Sequence, residues 1–422
     1  MLQVRLYRPF SAAHFLAALP ESVRAVAVLD RTKEPGAPGE PLYLDVVTAL
    51  AEAVADGRRQ TMPAVIGGRY GLSSKEFTPA MVKAVFDELA APAPRRGFTV
   101  GIDDDVSRTS LAVSPGFRLE PDGEYRAQFF GLGSDGTVGA NKNSVKIVAE
   151  HGHCYAQGYF VYDSHKSGAQ TVSHVRFAQS PIRAPYLVES AQFVACHQFQ
   201  FLGRVDVLRW AAPGATFLLN SPYPAAEVWP YLPQSVRRRI VELGLDLHVI
   251  DAARIAREHG LGPHVNTILQ VCFFALAGVM DLESAMVEIK AAIERSYRLK
   301  GGAVVRRNLA AVDAALSALV RVRVPDEAGP GRGDVPLVPD HAPEFVRTFT
   351  AQLMAGRGDE IPVSRLPVDG SYPSGTAAWE KRNISDSVPQ WQPDLCIQCG
   401  QCSFVCPHAV IRARHLPERA LD

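Results

Sequence analysis

The chain lacks net charge, long apolar runs and an abundance of cysteine. Lys plus Arg equals Asp plus Glu, 44 of each in 422 residues, so no overall field attracts nucleic acid or a membrane surface. No run approaches about 18 apolar residues, and the first ten residues have no signal-peptide core. We therefore expect a soluble, cytoplasmic protein that binds neither nucleic acid nor membrane, and any anion site must be local.

The seven cysteines are too few and too unevenly placed for a disulfide framework. Three of them are scattered in apolar surroundings and are expected to be small core residues, namely Cys154, Cys196 and Cys272. The other four crowd into eleven positions, which points to a metal site: Cys396, Cys399, Cys402 and Cys406.

The length exceeds what one hydrophobic core usually supports, and 47% hydrophobic residues supply the apolar surface for several domains. Up to residue 102, strand patterns alternate with helical ones, which predicts a parallel α/β sheet. The predicted strands are residues 4–7, 23–29, 64–67 and 98–102, and the helices are 11–19, 42–55 and 79–90. Because the series opens on a strand, we expect this sheet to lack earlier members and to expose an edge.

A second α/β block begins near residue 117, with predicted strands at 125–130, 155–162, 216–219 and 245–250 and closing helices between 266 and 315. Residues 325–343 are rich in Pro, Gly and Asp and are predicted to be a linker. Residues 344–355 are predicted to be helical, and 361–391 irregular.

The run C-x2-C-x2-C-x3-C-P at residues 396–407 has the spacing of bacterial ferredoxins, whose cysteine thiolates wrap a 4Fe-4S cluster. Zinc sites usually show two separated Cys/His pairs, and a bare structural turn is the other alternative. In two-cluster ferredoxins the fourth cysteine serves the other cluster, but these 422 residues contain one run. Either the cluster is incomplete here or Cys406 completes the set.

Residues 131–136 read GLGSDG, which fits G-x-G-x-x-G between a predicted strand and the predicted helix 138–150. In that context backbone amides and a helix N-terminus predict a site for a pyrophosphate, the alternative being a glycine turn that packs a helix on a sheet. Asp163 stands near the end of the next predicted strand, where a nicotinamide site holds its ribose. Lys166 follows three residues later, and a lysine at this place better suits an additional phosphate on the ribose. NADP and coenzyme A both stay open, as does a merely solvated lysine.

Six segments together resemble the pyruvate:ferredoxin (flavodoxin) oxidoreductase family. VRLYRPF (residues 4–10) with LDRTKEPG (29–36) resembles its transketolase C-terminal-like domain. Two segments resemble its gamma domain, namely GLGSDGTVGANK (131–142) and YDSHKSG (162–168). The segment WEKRNI (379–384) resembles the family's intermediate segment, and residues 396–412 resemble its first ferredoxin run. The resemblance implies four regions: residues 1–115, the transketolase C-terminal-like α/β domain; 116–323, the gamma α/β domain; 324–390, linker and intermediate segment; and 391–422, a partial ferredoxin-type domain.

The resemblance also implies roles. The coenzyme A contacts carried over from the family are Ser134, Asp135, Gly136, Thr137, Val138, Lys166, Asn266 and Asn308. The family oxidises pyruvate with coenzyme A to acetyl-CoA and CO2, uses ferredoxin or flavodoxin as electron acceptor, and forms homodimers. Its thiamine diphosphate and Mg²⁺ motifs have no counterpart in this sequence, so no catalytic residue is assigned. We expect an internal piece of such an enzyme that is inactive alone and depends on the remaining domains.

Two other functions fit parts of the pattern. The glycine turn alone would suit an NADP-linked dehydrogenase fused to a ferredoxin tail. The cysteine run alone would suit a non-enzymatic electron carrier or docking module.

Overall fold

The structure is a computed structural model that describes residues 1–133, 135–152, 154–163, 169–331, 333–380, 389–407 and 409–414. Two compact units divide the chain, Met1–Arg382 and Asn383–Asp422. None of the helices in the described residues is long and apolar enough to cross a membrane. The boundaries at residues 115, 323 and 390 stay a prediction.

The first sheet has three parallel strands in the order β1-β2-β3. Its elements are α1 (Ala12–Ala18), β1 (Ala25–Asp30), α2 (Pro41–Ala55), β2 (Ala64–Arg69), α3 (Pro79–Leu89) and β3 (Gly97–Thr99). The predicted alternation of strands and helices is therefore confirmed over residues 11–99. The strand predicted at residues 4–7 is wrong: these residues lie in no strand, and Val4 and Leu6 are exposed. Alternating hydrophobicity makes a strand only where a neighbouring strand is available to pair with it.

Local capping explains where two helices of this region begin. The Thr78 hydroxyl accepts from the Met81 amide at 3.4 Å and Pro79 opens α3, as expected for an N-cap followed by proline. Helix α2 has no cap from its own N-cap side chain; instead the Asp30 carboxylate at the end of β1 accepts from the amides of Leu42 and Tyr43 at 2.9 and 3.0 Å. The end of β1 thereby fixes the start of α2.

The second sheet has seven strands in the order β10-β9-β8-β7-β4-β6-β5. Its strands are β4 (Tyr125–Leu132), β5 (Tyr155–Tyr162), β6 (Gln170–Ala178), β7 (Ala191–Cys196), β8 (Ala211–Asn220), β9 (Asp246–Ile250) and β10 (Val320–Arg321). Strands β4, β7, β8 and β9 run parallel, and β6, β5 and β10 pair antiparallel at the two sides. The α/β class and the parallel centre are confirmed. Strands β6, β7 and β10 were not predicted.

Helices cover the two faces of this sheet. On one face pack α4 (Thr137–His151), α6 (Ala252–Glu258), α7 (Asn266–Ala277), α8 (Leu282–Tyr297) and α9 (Gly302–Ala318); α5 (Gln234–Leu243) packs on the other. After β4 the chain continues on the face that carries α4, whereas after β7 it continues on the face that carries α5. A crevice at the carboxyl ends of two such strands is where open α/β sheets bind ligands.

One ion pair is buried at the opposite end of this sheet. Glu124 immediately precedes β4, and its Oε1 lies 3.3 Å from Nε of Arg176 in β6, with 2% and 1% of the two side chains exposed. Burial is the main influence on the pKa of both groups: it raises the pKa of Glu124 and lowers that of Arg176. The attraction between the two charges shifts each pKa in the opposite direction, by less. Desolvation therefore exceeds the attraction within the pair.

Residues 358–366, which we name the strap, contact both sheets. Lys75 Nζ donates to the Asp359 carbonyl at 2.7 Å, and the Ser364 amide and hydroxyl donate to the Asp105 carboxylate at 2.9 and 2.5 Å. On the other side, Arg209 Nη2 lies 2.6 Å from Glu360 Oε1. The helix predicted just before it is confirmed as a π-helical turn, Val346–Thr350, followed by α10 (Ala351–Met354).

The second unit is small. Its described residues contain a 3-10 turn, Pro393–Leu395, and one short helix, α11 (Gln401–Val405). The four cysteines of the run lie on or beside these elements.

Candidate functional site

The glycine turn joins β4 to α4 in the crevice, as predicted. Gly136 is the N-cap of α4 with φ +90°, a backbone conformation that favours glycine. A Cβ on Gly131 would lie 2.4 Å from Oγ1 of Thr137. Both glycines are thus required by the local packing.

The Asp135 side chain closes this turn from within. Its carboxylate accepts from the amides of Leu132 and Thr137, each at 2.8 Å, and from Gln198 Nε2 at 3.2 Å. The Gly133 amide donates to the Ala169 carbonyl at 2.6 Å, and the Asp135 amide to the Leu132 carbonyl at 3.2 Å. These amides are already used, so an anion bound here either displaces Asp135 or binds other donors of the turn.

His197 lies under the turn and was not singled out by sequence reasoning. It directly follows β7, and its Nδ1 lies 2.7 Å from Oγ1 of Thr137. Burial lowers the pKa of His197 to about 4, although the nearby charge of Asp135 acts to raise it. The sequence signal that could have found it is its position just after a strand beside the switch point of the sheet.

The structure brings Asn266 to the turn and places Asn308 in the interior. Asn266 begins α7, with its Cγ 2.7 Å from where a Cβ of Gly136 would be. Asn308 lies in α9, buried, and its Nδ2 donates to the Val304 carbonyl at 2.9 Å. Val138 is half-buried in the first turn of α4.

Ser134 and Lys166 lie outside the described residues, but the strands around Lys166 correct one premise. In a fully parallel sheet, the end of the next strand, β5, would lie beside the glycine turn. Instead β5 is antiparallel at the edge, and β6 separates it from β4. The chain nevertheless lies at the turn where β6 begins, because Gln170 pairs with Leu132 and the Ala169 carbonyl accepts from the Gly133 amide.

The cysteine segment carries local features suited to a metal–thiolate cluster. Hydrogen bonds from the Trp391 side chain and the Gln398 amide, the latter at 3.4 Å, lower the pKa of Cys396. Gln398 and Gly400 have φ of +54° and +72°, which bends the backbone around the run. Amide hydrogen bonds to cysteine sulfur tune iron–sulfur clusters, so the chemistry of these four thiols fits such a cluster. Their arrangement is a separate matter: in the described stretches, no three His, Cys, Asp or Glu side chains are grouped to hold an ion.

These features define a class: an α/β protein with a glycine turn at its switch point and a ferredoxin-type cysteine segment. Comparison with known families agrees. Residues 126–318 match "Pyruvate ferredoxin/flavodoxin oxidoreductase", 333–385 a "Domain of unknown function", and 388–411 a "4Fe-4S binding domain". The chain is therefore similar to a partial region of proteins of the pyruvate ferredoxin/flavodoxin oxidoreductase family.

Three relatives illustrate the similarity. The chain is 57% identical over 422 residues to a pyruvate-flavodoxin oxidoreductase of Rhodospirillum rubrum, covering 100% of this chain and 35% of the relative. It is 54% identical to one from a Nostoc species, covering 98% and 36%. It is 50% identical to a pyruvate:ferredoxin oxidoreductase of Moorella thermoacetica, covering 98% and 35%. The chain thus spans about a third of the length of these relatives.

A solved structure of a pyruvate oxidoreductase subunit from Thermotoga maritima is also similar. It is 15% identical, with a TM-score of 0.38, covering 48% of this chain and 100% of that one.

Proposed function

We propose that this chain supplies coenzyme A binding and part of the electron relay of a pyruvate:ferredoxin or pyruvate:flavodoxin oxidoreductase. In that reaction pyruvate and coenzyme A yield acetyl-CoA, CO2, one proton and two electrons, which reduce ferredoxin or flavodoxin. Thiamine diphosphate and Mg²⁺, which the reaction also uses, are assigned to no residue of this chain. The cytoplasm and a homodimer are the setting we propose.

The observation that carries coenzyme A binding is the convergence at the crevice. The turn holding Asp135, Gly136 and Thr137, the start of α7 at Asn266, and the return of the chain after residue 168 meet at the carboxyl end of β4. A ligand there meets the N-terminus of α4, which favours negative charge, and those amides of the turn that are not already bonded to Asp135, Leu132 or Ala169. Ser134, Val138, Lys166 and Asn308 complete the proposed contacts.

The same arrangement favours coenzyme A over NADP. A nicotinamide site takes its acidic residue from the parallel strand next to the glycine turn. Asp163 instead follows an antiparallel edge strand, and the parallel neighbour of β4 is β7, which His197 follows.

In the electron relay, Cys396, Cys399, Cys402 and Cys406 would hold the cluster, which when bound accepts and passes single electrons. The Gln398 amide and the Trp391 side chain stabilise the thiolate of Cys396. The chain's own contribution is therefore to favour the thiolate form of Cys396, which is the form that binds iron.

Lys166→Ala is expected to weaken coenzyme A binding by about 5- to 150-fold, the range for losing a charge-assisted hydrogen bond of about 1–3 kcal/mol. Isothermal titration with coenzyme A and dephospho-coenzyme A measures this, and the latter should lose less if Lys166 meets the 3′-phosphate. Lys146→Ala, near the far end of α4 and 3.8 Å from Glu150, is the matched control. Unchanged affinity for coenzyme A rejects the assignment, and tighter binding of NADP favours the dehydrogenase.

Anaerobic iron reconstitution is expected to give one cluster at most, about four irons per chain, and an unstable one, because the sequence has one cysteine run. Iron analysis and the visible spectrum measure it. Cys399→Ser should lose the chromophore, whereas Cys154→Ala, outside the run, should keep it. About eight irons with a stable cubane spectrum would show that the ligand count is wrong.

A further inference from the structure

The His197 imidazole is a buried link between the parallel sheet and the glycine turn. Only 2% of His197 and 1% of Thr137 are exposed, and their side chains meet at 2.7 Å. The backbone of His197 is itself fixed: its amide donates to the Phe130 carbonyl at 2.9 Å, and its carbonyl accepts from Asn220 Nδ2 at 3.0 Å. The ring therefore occupies one position relative to strands β4, β7 and β8.

The other ring nitrogen decides which atom carries the proton. His197 Nε2 is buried and has no hydrogen-bond partner among the residues that the structure describes. A neutral imidazole has one N–H and one lone pair, and a buried N–H without an acceptor is the rarer and costlier defect. The proton therefore lies on Nδ1, and His197 donates to the Thr137 hydroxyl.

Thr137 transmits this contact to the turn. It is the first residue of α4, its amide is held by Asp135, and its hydroxyl lies against Gly131, where a Cβ would collide with it. Because the Thr137 side chain is buried, it presents its backbone, not its hydroxyl, toward a ligand in the crevice.

We propose that His197 is a positioning residue for coenzyme A: by donating from Nδ1 to Thr137 it fixes the first turn of α4 in the orientation that meets the ligand's anionic end. This inference rests on the proposed function of the turn. His197 itself does not touch the ligand.

The test compares variants that keep or remove this one hydrogen bond. His197→Phe and Thr137→Val should each weaken coenzyme A binding about tenfold in titrations at equal folded fraction. The double variant should lose no more than either single one, because both remove the same contact. His197→Asn, whose amide can replace Nδ1–H, and Thr137→Ser, which keeps the hydroxyl, should bind within about twofold of the wild type.

His174→Phe is the matched control. His174 is also a buried histidine of this sheet, and it pairs with Gln128, four strand residues before Leu132, roughly 13 Å from the turn. Its loss should lower stability without changing coenzyme A affinity. Wild-type affinity in His197→Phe, or additive losses in the double variant, would overturn the proposal and leave the proposed function intact.

A second readout is independent of the ligand. Nitrogen-15 shifts of labelled histidine should report the Nδ1–H tautomer for His197 at pH 7, and Thr137→Val should change them while leaving His174 unaffected. The Nε2–H tautomer overturns the proposal. The expected tautomer in a wild-type chain that fails to bind coenzyme A rejects the proposed function and, with it, the positioning role, while the hydrogen bond stands.

Discussion

Glu124→Ala is expected to lower the free energy of unfolding of the seven-stranded domain by about 3–5 kcal/mol, the usual result of removing one partner of a buried ion pair. Arg176 has 1% of its side chain exposed, so its charge would stay in the interior without the carboxylate. Besides Glu124, Arg176 has Gln157 at 3.2 Å and the Tyr186 ring, and Glu120 supplies only a weaker attraction than Glu124 does. Urea unfolding measures the change.

Two further variants separate this effect from a general loss of contacts. Replacing both partners, as Glu124→Leu with Arg176→Met, should recover part of the stability, because the pKa directions of the pair show desolvation exceeding attraction. The recovery is incomplete because Arg126, whose Nη1 lies 3.8 Å from Glu124 Oε1, also loses that carboxylate. Arg254→Ala breaks an exposed ion pair with Glu258 on α6 and should cost less than about 1 kcal/mol. A loss below about 1 kcal/mol for Glu124→Ala would contradict the expectation.

Acidification from pH 7 to 5 is expected to destabilise the same domain by about 4 kcal/mol through two buried histidines, about 2 kcal/mol each at about 1.4 kcal/mol per pKa unit. Burial lowers the pKa of both His174 and His197 from 6.5 to about 4. Between these values the unfolded chain binds more protons than the folded one, so stability falls as the pH falls. Urea unfolding at a series of pH values measures it.

The comparison of slopes isolates the histidines. Glu124 and Glu189 in this domain have pKa values raised by burial, so they titrate in the opposite sense and reduce the total. His174→Phe and His197→Phe should each flatten the pH dependence by about 2 kcal/mol over this window. If a variant shows the same dependence of stability on pH as the wild type, other groups cause the loss of stability in acid.

The sequence predicted the elements whose hydrophobic pattern is plain. Strand β4, the glycine turn and α4 follow from an apolar strand, three glycines and a helical stretch. Strand β6 escaped prediction because its sequence, QTVSHVRFA, carries polar side chains that the fold buries, among them Ser173, His174 and Arg176. A period-two pattern cannot register a strand whose buried residues are themselves polar.

Sequence patterns could predict site residues within one segment of the chain, but not the contacts between distant segments. The motif located Gly131 and Gly136, and the resemblance named Asn266, which the fold does bring to the turn. The contact between His197 and Thr137 could not be predicted, because it joins residues 60 apart and the strand before His197 was not itself predicted. The wrong neighbour for β5 has the same origin: local patterns indicate strands, whereas strand order depends on distant pairing.

The strap has a consequence for the newly made chain. Ser364 binds Asp105 across 259 residues, and Asp359 binds Lys75 across 284. At about 5–20 residues per second of synthesis, the loop at residues 101–105 is on the nascent chain for roughly 13 s to a minute before its strap exists. Any folding of the first sheet during that interval takes place with the loop uncovered, and the hydroxyl and amide of Ser364 reach Asp105 only after the whole seven-stranded sheet between them has been translated.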